Sequence, residues 1–330
     1  MTSDLKPHAD WIPPALLLAI ALAALVLIGN PSTWVTLTVA GLAMGLLIFI
    51  MSSGLTLVFG LMDVMNFAHG LFIAVGAYVA ASTIKLFSTA AGSESFLANL
   101  GAVVPAMLAA MLVAGLLGLF FERVIIKPVY GQHLKQILIT TGGMIVAEQL
   151  IHVFWGPDLL PLPRPSTLRG SFLVGDVAIE KFRLIAVVIG LAVFAAMMIV
   201  LNRTRIGLLI RAGVENKEMV EAMGYRIRRL FIAVFVAGSA LAGLGGALWG
   251  MYQESVTVHI GASMMVLIFI VIIIGGLGSI GGCFVGALLV GLVANYVGFL
   301  SPKIALGSNI LLMVIVLLWR PQGLYPMSKQ

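Results

Sequence analysis

Charged side chains are scarce in this sequence. Asp, Glu, Lys and Arg account for 10% of its 330 residues, whereas hydrophobic residues account for 61%. A soluble domain carries about 25% charged residues, because it must cover a water-facing surface. The composition therefore excludes an ordinary soluble protein and predicts a chain that lies mostly in lipid, as a single transmembrane domain over residues 1–330.

Cysteine is nearly absent, and so are the patterns of metal sites and hydrolytic enzymes. Cys283 is the only cysteine, so the chain cannot form an internal disulfide, and we interpret it as a small apolar residue of a helix. The five histidines show no metal-ligand spacing, and neither His-Glu-x-x-His nor Gly-x-Ser-x-Gly occurs. We expect no metal, no catalytic residues and no enzymatic activity.

Nucleotide-binding patterns fail on closer inspection. Gly276, Gly278 and Gly281 match G-x-G-x-x-G, but a dinucleotide fold also needs a preceding strand and an acidic residue about 20 positions on. The preceding run is apolar enough for a membrane span, and no Asp or Glu follows Glu254. The phosphate-binding loop G-x-x-x-x-G-K-[ST] does not occur either. The chain is expected to bind no cofactor, and any ATP that drives it would be bound by a separate subunit.

What the sequence does contain is a series of long apolar runs with short polar breaks. Membrane barrels would instead show alternating segments of about ten residues, so helices are favoured. We predict an all-α polytopic bundle of eight to ten membrane helices without a soluble domain. The predicted spans are 12–28, 34–60, 66–86, 99–121, 136–155, 184–201, 230–253, 263–282, 283–300 and 305–319.

Four of these runs have features of their own. Run 12–28 is long for a signal peptide and lacks a small-residue cleavage site, so we interpret it as a retained membrane helix. Run 34–60 is too long for one straight helix, and Ser52-Ser53-Gly54 in its middle predicts a break or kink. The runs on either side of residue 282 share a Gly-rich junction, which leaves a re-entrant arrangement open.

Lys and Arg are distributed unevenly between the two ends of the predicted spans. With ten spans and the N-terminus inside, thirteen of the nineteen basic residues lie in cytoplasmic segments. Cytoplasmic loops are enriched in Lys and Arg, so this count predicts that both termini are cytoplasmic.

The polar segment 202–229 is the longest cytoplasmic loop in this arrangement. From Asn216 to Met223 its apolar residues recur at a spacing of three to four, which predicts a short amphipathic helix. Asn216 is expected to cap this helix and Gly224 to end it. Its mixed charge and glycine termination favour docking into a groove on a soluble partner, and a helix lying on the membrane surface is the alternative.

Several long motifs resemble a known family. They are GLLIRAGVENKEMVEAMG (207–224), GLTLVFGLMDVMNFAHGLFIAVGAYVA (54–80), GGLGSIGGCFVGALLVGLV (275–293), ERVIIKPVYG (122–131) and WRPQGLYP (319–326). Together they cover roughly residues 34–326 and are similar to LivH-type permeases of branched-chain amino acid importers of the ATP-binding-cassette class. Glu218 and Gly224 keep the Glu-to-Gly spacing of the coupling motif of such importers, whereas Met219 and Val220 replace its two alanines.

The resemblance implies a function and a set of partners. It implies a permease in the bacterial inner membrane that forms a translocation pathway with a second homologous permease. It also implies two ATP-binding-cassette ATPase subunits and a periplasmic amino-acid-binding protein as partners, with no nucleic acid. The docking residues that it implies are Arg211, Glu215, Asn216, Glu218, Met219, Ala222, Met223 and Gly224.

Two alternatives to a branched-chain amino acid importer stay open at this point. Urea-type permeases of the same family look similar, so urea, a short-chain amide or another small polar solute is one alternative. An ion-coupled secondary transporter is the other, although it would need acidic coupling sites within the membrane, and Glu148 alone lies plainly within a span.

Polar side chains inside the apolar runs are candidates for the substrate pathway, because they are costly in lipid. Asn66 and His69 are three residues apart and are expected to share a helical face, as are Thr141, Glu148 and His152. The candidate residues are Ser53, Thr56, Asn66, His69, Thr141 and Glu148.

A structural role is the alternative for each of these candidates. Ser53 and Thr56 could satisfy backbone groups at the predicted break. Asn66 could cap the following helix, with Asp63 in a short cytoplasmic loop. Glu148 could make an interhelical contact, with His152 or a backbone group as its partner.

Overall fold

A computed structural model describes residues 11–325, apart from the side chains of Leu61, Val214, Glu215, Lys217 and Leu306. The α-helices in this part of the chain are α1 (Ile12–Ile28), α2 (Pro31–Met62), α3 (His69–Leu86), α4 (Ser88–Ala91), α5 (Phe96–Phe120), α6 (His133–Trp155), α7 (Lys181–Arg203), α8 (Arg205–Glu215), α9 (Lys217–Ala222), α10 (Ile227–Gln253), α11 (Ile260–Gly275), α12 (Ile280–Leu300) and α13 (Pro302–Trp319). The strands are β1 (Leu160–Pro161), β2 (Ser171–Val174), β3 (Val177–Glu180) and β4 (Ser255–Val256).

Ten apolar helices form the bundle. Seven of them, α2, α3, α5, α6, α7, α10 and α12, are long and apolar enough to cross a membrane, and α1, α11 and α13 are shorter apolar helices. In the described chain they follow the order of the ten predicted runs, which confirms the all-α membrane bundle. The buried share of the apolar window is 78% in α2 and 17% in α7, so α2 lies at the centre and α7 at the rim.

The predicted break in α2 is wrong. α2 is one uninterrupted α-helix of 32 residues. The Ser53 hydroxyl donates a hydrogen bond to the carbonyl oxygen of Ile50 at 2.9 Å. The hydroxyl therefore has a partner within α2, and the helix does not need to open to provide one. Gly54 lies where α2 crosses α10, and a Cβ there would collide with the backbone of Gly238. The small residues in the middle of α2 therefore allow close helix packing rather than a kink.

α3 begins inside the bundle rather than at its edge. The Nε2 atom of His69, the first residue of α3, lies 2.9 Å from the carbonyl oxygen of Met51 in α2. Met51 is eleven residues before the end of α2. That distance is about 16 Å at 1.5 Å per residue. Residues 63–68 therefore turn back along α2 before α3 starts.

Residues 254–259 repeat this geometry between α10 and α11. Asp63 and Glu254 end α2 and α10 at φ 52° and 57°, and in the described chain they are the two non-glycine residues with positive φ. Gly70 and Gly261 each follow the acidic residue by seven positions. The two glycines meet, because a Cβ on Gly70 would lie 2.6 Å from the carbonyl oxygen of Gly261. The N-termini of α3 and α11 therefore abut inside the bundle.

The two halves of the bundle are related as an inverted repeat. α2 and α10 cross antiparallel, since Gly54 approaches Gly238 while Met51 approaches Gly245. The partners of these helices correspond as well, because α2 packs on α12 and α10 packs on α5. Inverted repeats whose discontinuous helices meet near the middle of the membrane are a recurring architecture of transporters.

The Gly-rich junction after α11 also differs from the prediction. α11 ends at Gly275 and α12 begins at Ile280, so the boundary expected near residue 282 is misplaced. The backbone N–H groups of Leu324 and Tyr325 donate to the carbonyl oxygens of Ile274 and Gly275 at 2.8 and 3.0 Å. The segment after α13 thus covers this junction, and the re-entrant segment of this half is 254–259, before α11.

At the other end of the bundle, residues 156–180 contain three short strands, of which β2 pairs with β3 and β1 pairs with β4, both antiparallel. Arg164 joins this region to the end of α10. Its Nη1 lies 3.0 Å from Glu180 Oε2 and its Nε 3.2 Å from Glu254 Oε1, while Nη2 donates to the carbonyl oxygen of Tyr252 at 2.7 Å. This cluster, called the Arg164 clasp below, fixes the start of the 254–259 segment.

Candidate translocation pathway and docking surface

α6 lies beside two re-entrant segments, 63–68 before α3 and 254–259 before α11. At one end, Gln136 Oε1 accepts a hydrogen bond from the backbone N–H of Met65 at 3.3 Å, and Thr140 Oγ1 accepts one from Phe67 at 3.2 Å. These two side chains therefore satisfy backbone donors of segment 63–68, which lack strand or helix partners. Neither residue was among the site candidates predicted from the sequence, where a polar residue in an apolar run was the available signal.

The other end of α6 approaches the second re-entrant segment. The ring of His152 lies 6.4 Å from the ring of His259, centroid to centroid. His259 is the residue directly before α11. Between these two ends, the Met144 side chain reaches Gly261, at the junction of the α3 and α11 N-termini. α6 thus links the two halves of the inverted repeat along its length.

Asn66 and His69 do not share a helical face as predicted, because Asn66 precedes α3. The Asn66 Oδ1 accepts a hydrogen bond from the backbone N–H of Ala68 at 3.1 Å, so the residue closes the turn before the helix. The side chain is 1% exposed and its Nδ2 has no hydrogen-bond partner in the described chain. Asp63 is exposed at the end of α2, with an oxygen 3.7 Å from Nε2 of His133. Asp63 thus lies in a short loop, which agrees with its structural alternative.

Thr141 and Glu148 lie on a flank of α6. The face of this helix that packs on the bundle carries Gln136, Thr140, Met144, Ala147 and Ile151. Thr141 is exposed beside that face and Glu148 is half-buried. The Glu148 Oε1 atom is buried without a hydrogen-bond partner in the described chain, so neither His152 nor a backbone group, the partners that the structural alternative offers, binds this atom there. Gln149, missed in the sequence, is exposed next to it.

Ser53 and Thr56 are completely buried at the centre of the bundle. Thr56 donates its hydroxyl hydrogen bond to the carbonyl oxygen of Ser52 at 2.8 Å, and Ser52 Oγ lies 3.0 Å from Cys283 Sγ on α12. The hydroxyl groups of Ser52, Ser53 and Thr56 thus all have contacts to polar atoms within the chain. The contacts support the structural alternative for Ser53 and Thr56, namely packing of α2 against its neighbours.

The segment between α7 and α10 folds into two helices, α8 and α9. The sequence predicts only α9, and its cap and its end are confirmed. The Asn216 Oδ1 accepts a hydrogen bond from the backbone N–H of Met219 at 2.9 Å, and Gly224 follows the helix at φ +85°. Val220 is 3% exposed, whereas Met219 and Met223 are 61% and 68% exposed. α9 therefore packs on the bundle through Val220 and presents both methionines outward.

The remaining predicted docking residues belong to α8 and α9 or lie directly beside them. Glu218 lies in the first turn of α9, and Ala222 is exposed at its last residue. Arg211, on α8, donates from Nη1 to Asn202 Oδ1 at 3.4 Å. The side chain of Glu215 lies outside the described residues. α8 was missed, although Thr204 caps it by accepting a hydrogen bond from the N–H of Gly207 at 3.2 Å.

The extension of α5 carries a further group that the sequence did not single out. Residues 121–126 form a π-helical turn, and Glu122 within it is buried. The hydroxyl of Tyr130 donates a hydrogen bond to Glu122 Oε1 at 3.2 Å. Burial, followed by the nearby Glu122 carboxylate, raises the pKa of Tyr130 above its ordinary value. The phenol therefore stays neutral and acts as a donor to the carboxylate at physiological pH.

The sequence of this bundle matches a known protein family. Residues 37–319 match the profile of the family described as "Branched-chain amino acid transport system / permease component". The chain belongs to this permease family. Membership confirms the prediction of a non-catalytic permease subunit in a membrane, because ATP hydrolysis in such transporters takes place in a separate subunit.

Curated relatives cover nearly the whole permease. BraD of Pseudomonas aeruginosa, a high-affinity branched-chain amino acid transport system permease protein, is 29% identical over 87% of this chain and 94% of its own. LivH of Escherichia coli K12 is 26% identical over 86% of this chain and 92% of its own. LivM of the same organism is 25% identical over 89% of this chain and 71% of its own. No solved structure matches.

Proposed function

We propose that this permease carries branched-chain amino acids across the bacterial inner membrane as the membrane subunit of an ATP-binding-cassette importer. The observation that supports this most strongly is the similarity to BraD over 87% of the chain, together with the similarity to LivH. Both relatives are named as branched-chain amino acid permeases. An ion-coupled transporter is disfavoured, because the motifs of segment 202–229 belong to permeases that work with an ATPase.

The proposed pathway runs along α6 and the two re-entrant segments, 63–68 and 254–259. The N-termini of α3 and α11 meet there, at Gly70 and Gly261. Rocking of one half of an inverted repeat against the other is a common mode of alternating access. Separation of these two helix ends would open the path, and the hydrogen bonds from α6 would hold segment 63–68 in place during that movement.

The proposed partner of the exposed flank of α6 is a second, homologous permease. Thr141, Glu148 and Gln149 lie in the span of α6, where side chains of this kind are costly in lipid. Similarity to both LivH and LivM is in keeping with a pair of related permeases. The two permeases would enclose the translocation pathway between them, with Glu148 beside it.

The proposed docking surface for two ATPase subunits is the methionine surface of α9, Met219 and Met223. Methionine is flexible and polarisable, and it suits contacts that must be kept while two proteins move. The positive-inside distribution of Lys and Arg supports a cytoplasmic position for this surface and for both termini. A periplasmic binding protein would then deliver the substrate at the end that carries the Arg164 clasp.

Uptake by proteoliposomes tests the proposed function. The complete importer, assembled with its second permease, ATPases and binding protein, should accumulate labelled leucine with ATP inside and no ion gradient. Unlabelled isoleucine should compete and urea should not. Competition by urea alone would assign the urea-type alternative, and uptake with a proton or sodium gradient but without ATP would assign the secondary transporter.

Single-cysteine labelling tests the pathway proposal, since Cys283 is the only native cysteine. In a Cys283→Ala background, Glu148→Cys should react with a water-soluble maleimide in assembled importer. Val146→Cys is the matched control, because Val146 is exposed on the opposite side of α6 and would face lipid. Equal labelling of both positions, or protection of position 148 under all conditions, would argue against a water-filled path beside Glu148.

A further inference from the structure

A basic pocket lies at the end of the bundle that carries α9, where α5 and α10 meet. Its volume is about 850 Å³. Its lining includes five cations and one carboxylate: Arg123 and Lys127 after α5, Arg226, Arg228 and Arg229 at the start of α10, and Glu221 of α9. None of the five cations makes an ion pair with a described carboxylate. A cluster with this excess of positive charge attracts an anion.

The chemistry of the lining favours a phosphate group. Four of the five cations are arginines, whose planar guanidinium groups bind phosphate oxygens with two hydrogen bonds each. α10, which begins at Ile227 in the same lining, also presents its N-terminus there. The N-terminus of a helix adds the positive end of the helix dipole.

The apolar seam between α5 and α10 extends from this pocket and is called the α5–α10 groove below. Ile232, which also lines the pocket, and Val236 are partly exposed along it on α10. On α5 the Cβ position of Gly115 lies 3.6 Å from a Val236 methyl group. The surface is thus apolar along the membrane span and basic where the span ends. Phospholipids have this same division between acyl chains and headgroup.

We propose that the pocket binds the phosphate headgroup of an anionic phospholipid whose acyl chains lie in the α5–α10 groove. Basic pockets at the cytoplasmic ends of membrane helices are suited to such headgroups. A soluble phosphate would leave the adjoining groove unused. The exposed methionines of α9 are not part of the lining, so lipid and ATPase could be bound together. Because Gly224 does line the pocket, a bound lipid would hold the end of α9 against the bundle.

Lipid binding to the full-length permease in detergent micelles tests this proposal, with fluorescent phosphatidylglycerol as the probe. Loss of about two cation contacts, in Arg123→Gln/Arg228→Gln, should weaken binding about 30-fold. Arg203→Gln/Arg205→Gln is the matched control, since it removes the same charge from segment 202–229 outside the pocket lining. The control should bind the probe within twofold of the wild type. Lys127→Gln/Arg229→Gln replaces the first pair if that variant does not fold.

Four results would overturn the proposal. The first is equal weakening by the pocket and control variants, which would show general charge attraction. The second is displacement of the probe by millimolar inorganic phosphate as effectively as by unlabelled phosphatidylglycerol, which would show a site for free phosphate. The third is equally tight binding of fluorescent phosphatidylcholine, which would show that the groove alone binds lipid. Loss of ATPase co-purification with unchanged lipid binding would assign the pocket to the ATPase instead.

Discussion

The side-chain oxygen of Asn216 accepts a hydrogen bond from the backbone N–H of Met219 at 2.9 Å, and this bond closes the first turn of α9. Without such a cap, a helix of six residues has little stability of its own. The cap therefore couples the residue before α9 to the position of the exposed methionines.

Replacement of the cap should loosen α9 without disturbing the bundle. Asn216→Ala is expected to destabilise the helix by about 1 kcal/mol, a typical value for the loss of an N-cap. Hydrogen exchange of residues 217–223 should become about fivefold faster, whereas Asn216→Asp, which keeps an acceptor, should preserve protection. Unchanged exchange in the alanine variant would mean that tertiary contacts alone hold α9.

Two neighbouring threonines of α6 should respond differently to the same change. Thr140→Val removes the acceptor for the N–H of Phe67 and should cost about 1–3 kcal/mol, because a partly buried donor is left unpaired. Thr141 is exposed and makes no hydrogen bond from its side chain in the described chain, so Thr141→Val should leave the unfolding temperature unchanged. Thermal unfolding in detergent measures both. A larger effect at position 141 would contradict the assignment of Thr140 as the residue that holds segment 63–68.

The crossing of α2 and α10 should tolerate no added carbon. Gly54→Ala places a Cβ against the backbone of Gly238, and overpacking of this kind typically costs about 1–3 kcal/mol. Gly101→Ala in α5 is the control, since nothing lies within 4 Å of its Cβ position. That variant should be neutral or stabilised by about 0.5–1 kcal/mol, because alanine favours helix. The fraction of monodisperse protein and its unfolding temperature distinguish the two, and equal behaviour would contradict the close crossing.

The Arg164 clasp should require a guanidinium group. Arg164→Lys keeps the charge but cannot reach Glu180, Glu254 and the Tyr252 carbonyl together, so we expect a loss of about 1–3 kcal/mol. Arg169 is exposed and donates a single side-chain hydrogen bond in the described chain, to the Arg164 carbonyl, so Arg169→Lys should cost less. Equal unfolding temperatures for wild type and Arg164→Lys would show that the clasp adds no stability.

The sequence predicts the membrane helices well because their signal is local. Continuous apolar runs give the order of ten helices, and the cap and terminal glycine of α9 are visible as Asn216 and Gly224. α8 was missed because its apolar residues fall in a segment interpreted as polar loop. The break predicted in α2 failed because Gly54 serves contact with another helix, which no local pattern reveals.

The re-entrant segments depend on contacts between distant residues. Asn66 and His69 look like one helical face until the His69 contact to Met51 shows that α3 starts beside the middle of α2. A faint signal did exist, since an acidic residue precedes a glycine by seven positions in both halves, at Asp63 and at Glu254. The polar candidates thus fall into two groups, according to whether their side chains have hydrogen-bond partners. Ser53 and Thr56 are used in packing, whereas Glu148 keeps a buried oxygen without a partner in the described chain.

We expect this permease to couple amino acid passage to ATP hydrolysis through the methionine surface of α9. The most direct test is leucine-stimulated ATP hydrolysis by the importer reconstituted with its second permease, ATPases and binding protein. We expect stimulation by leucine-loaded binding protein in the wild type. We expect its loss in Met219→Asp/Met223→Asp but not in Leu134→Asp, an exposed apolar residue at the start of α6. Stimulation that survives the methionine double variant, or hydrolysis that never responds to leucine, would contradict coupling through the methionine surface.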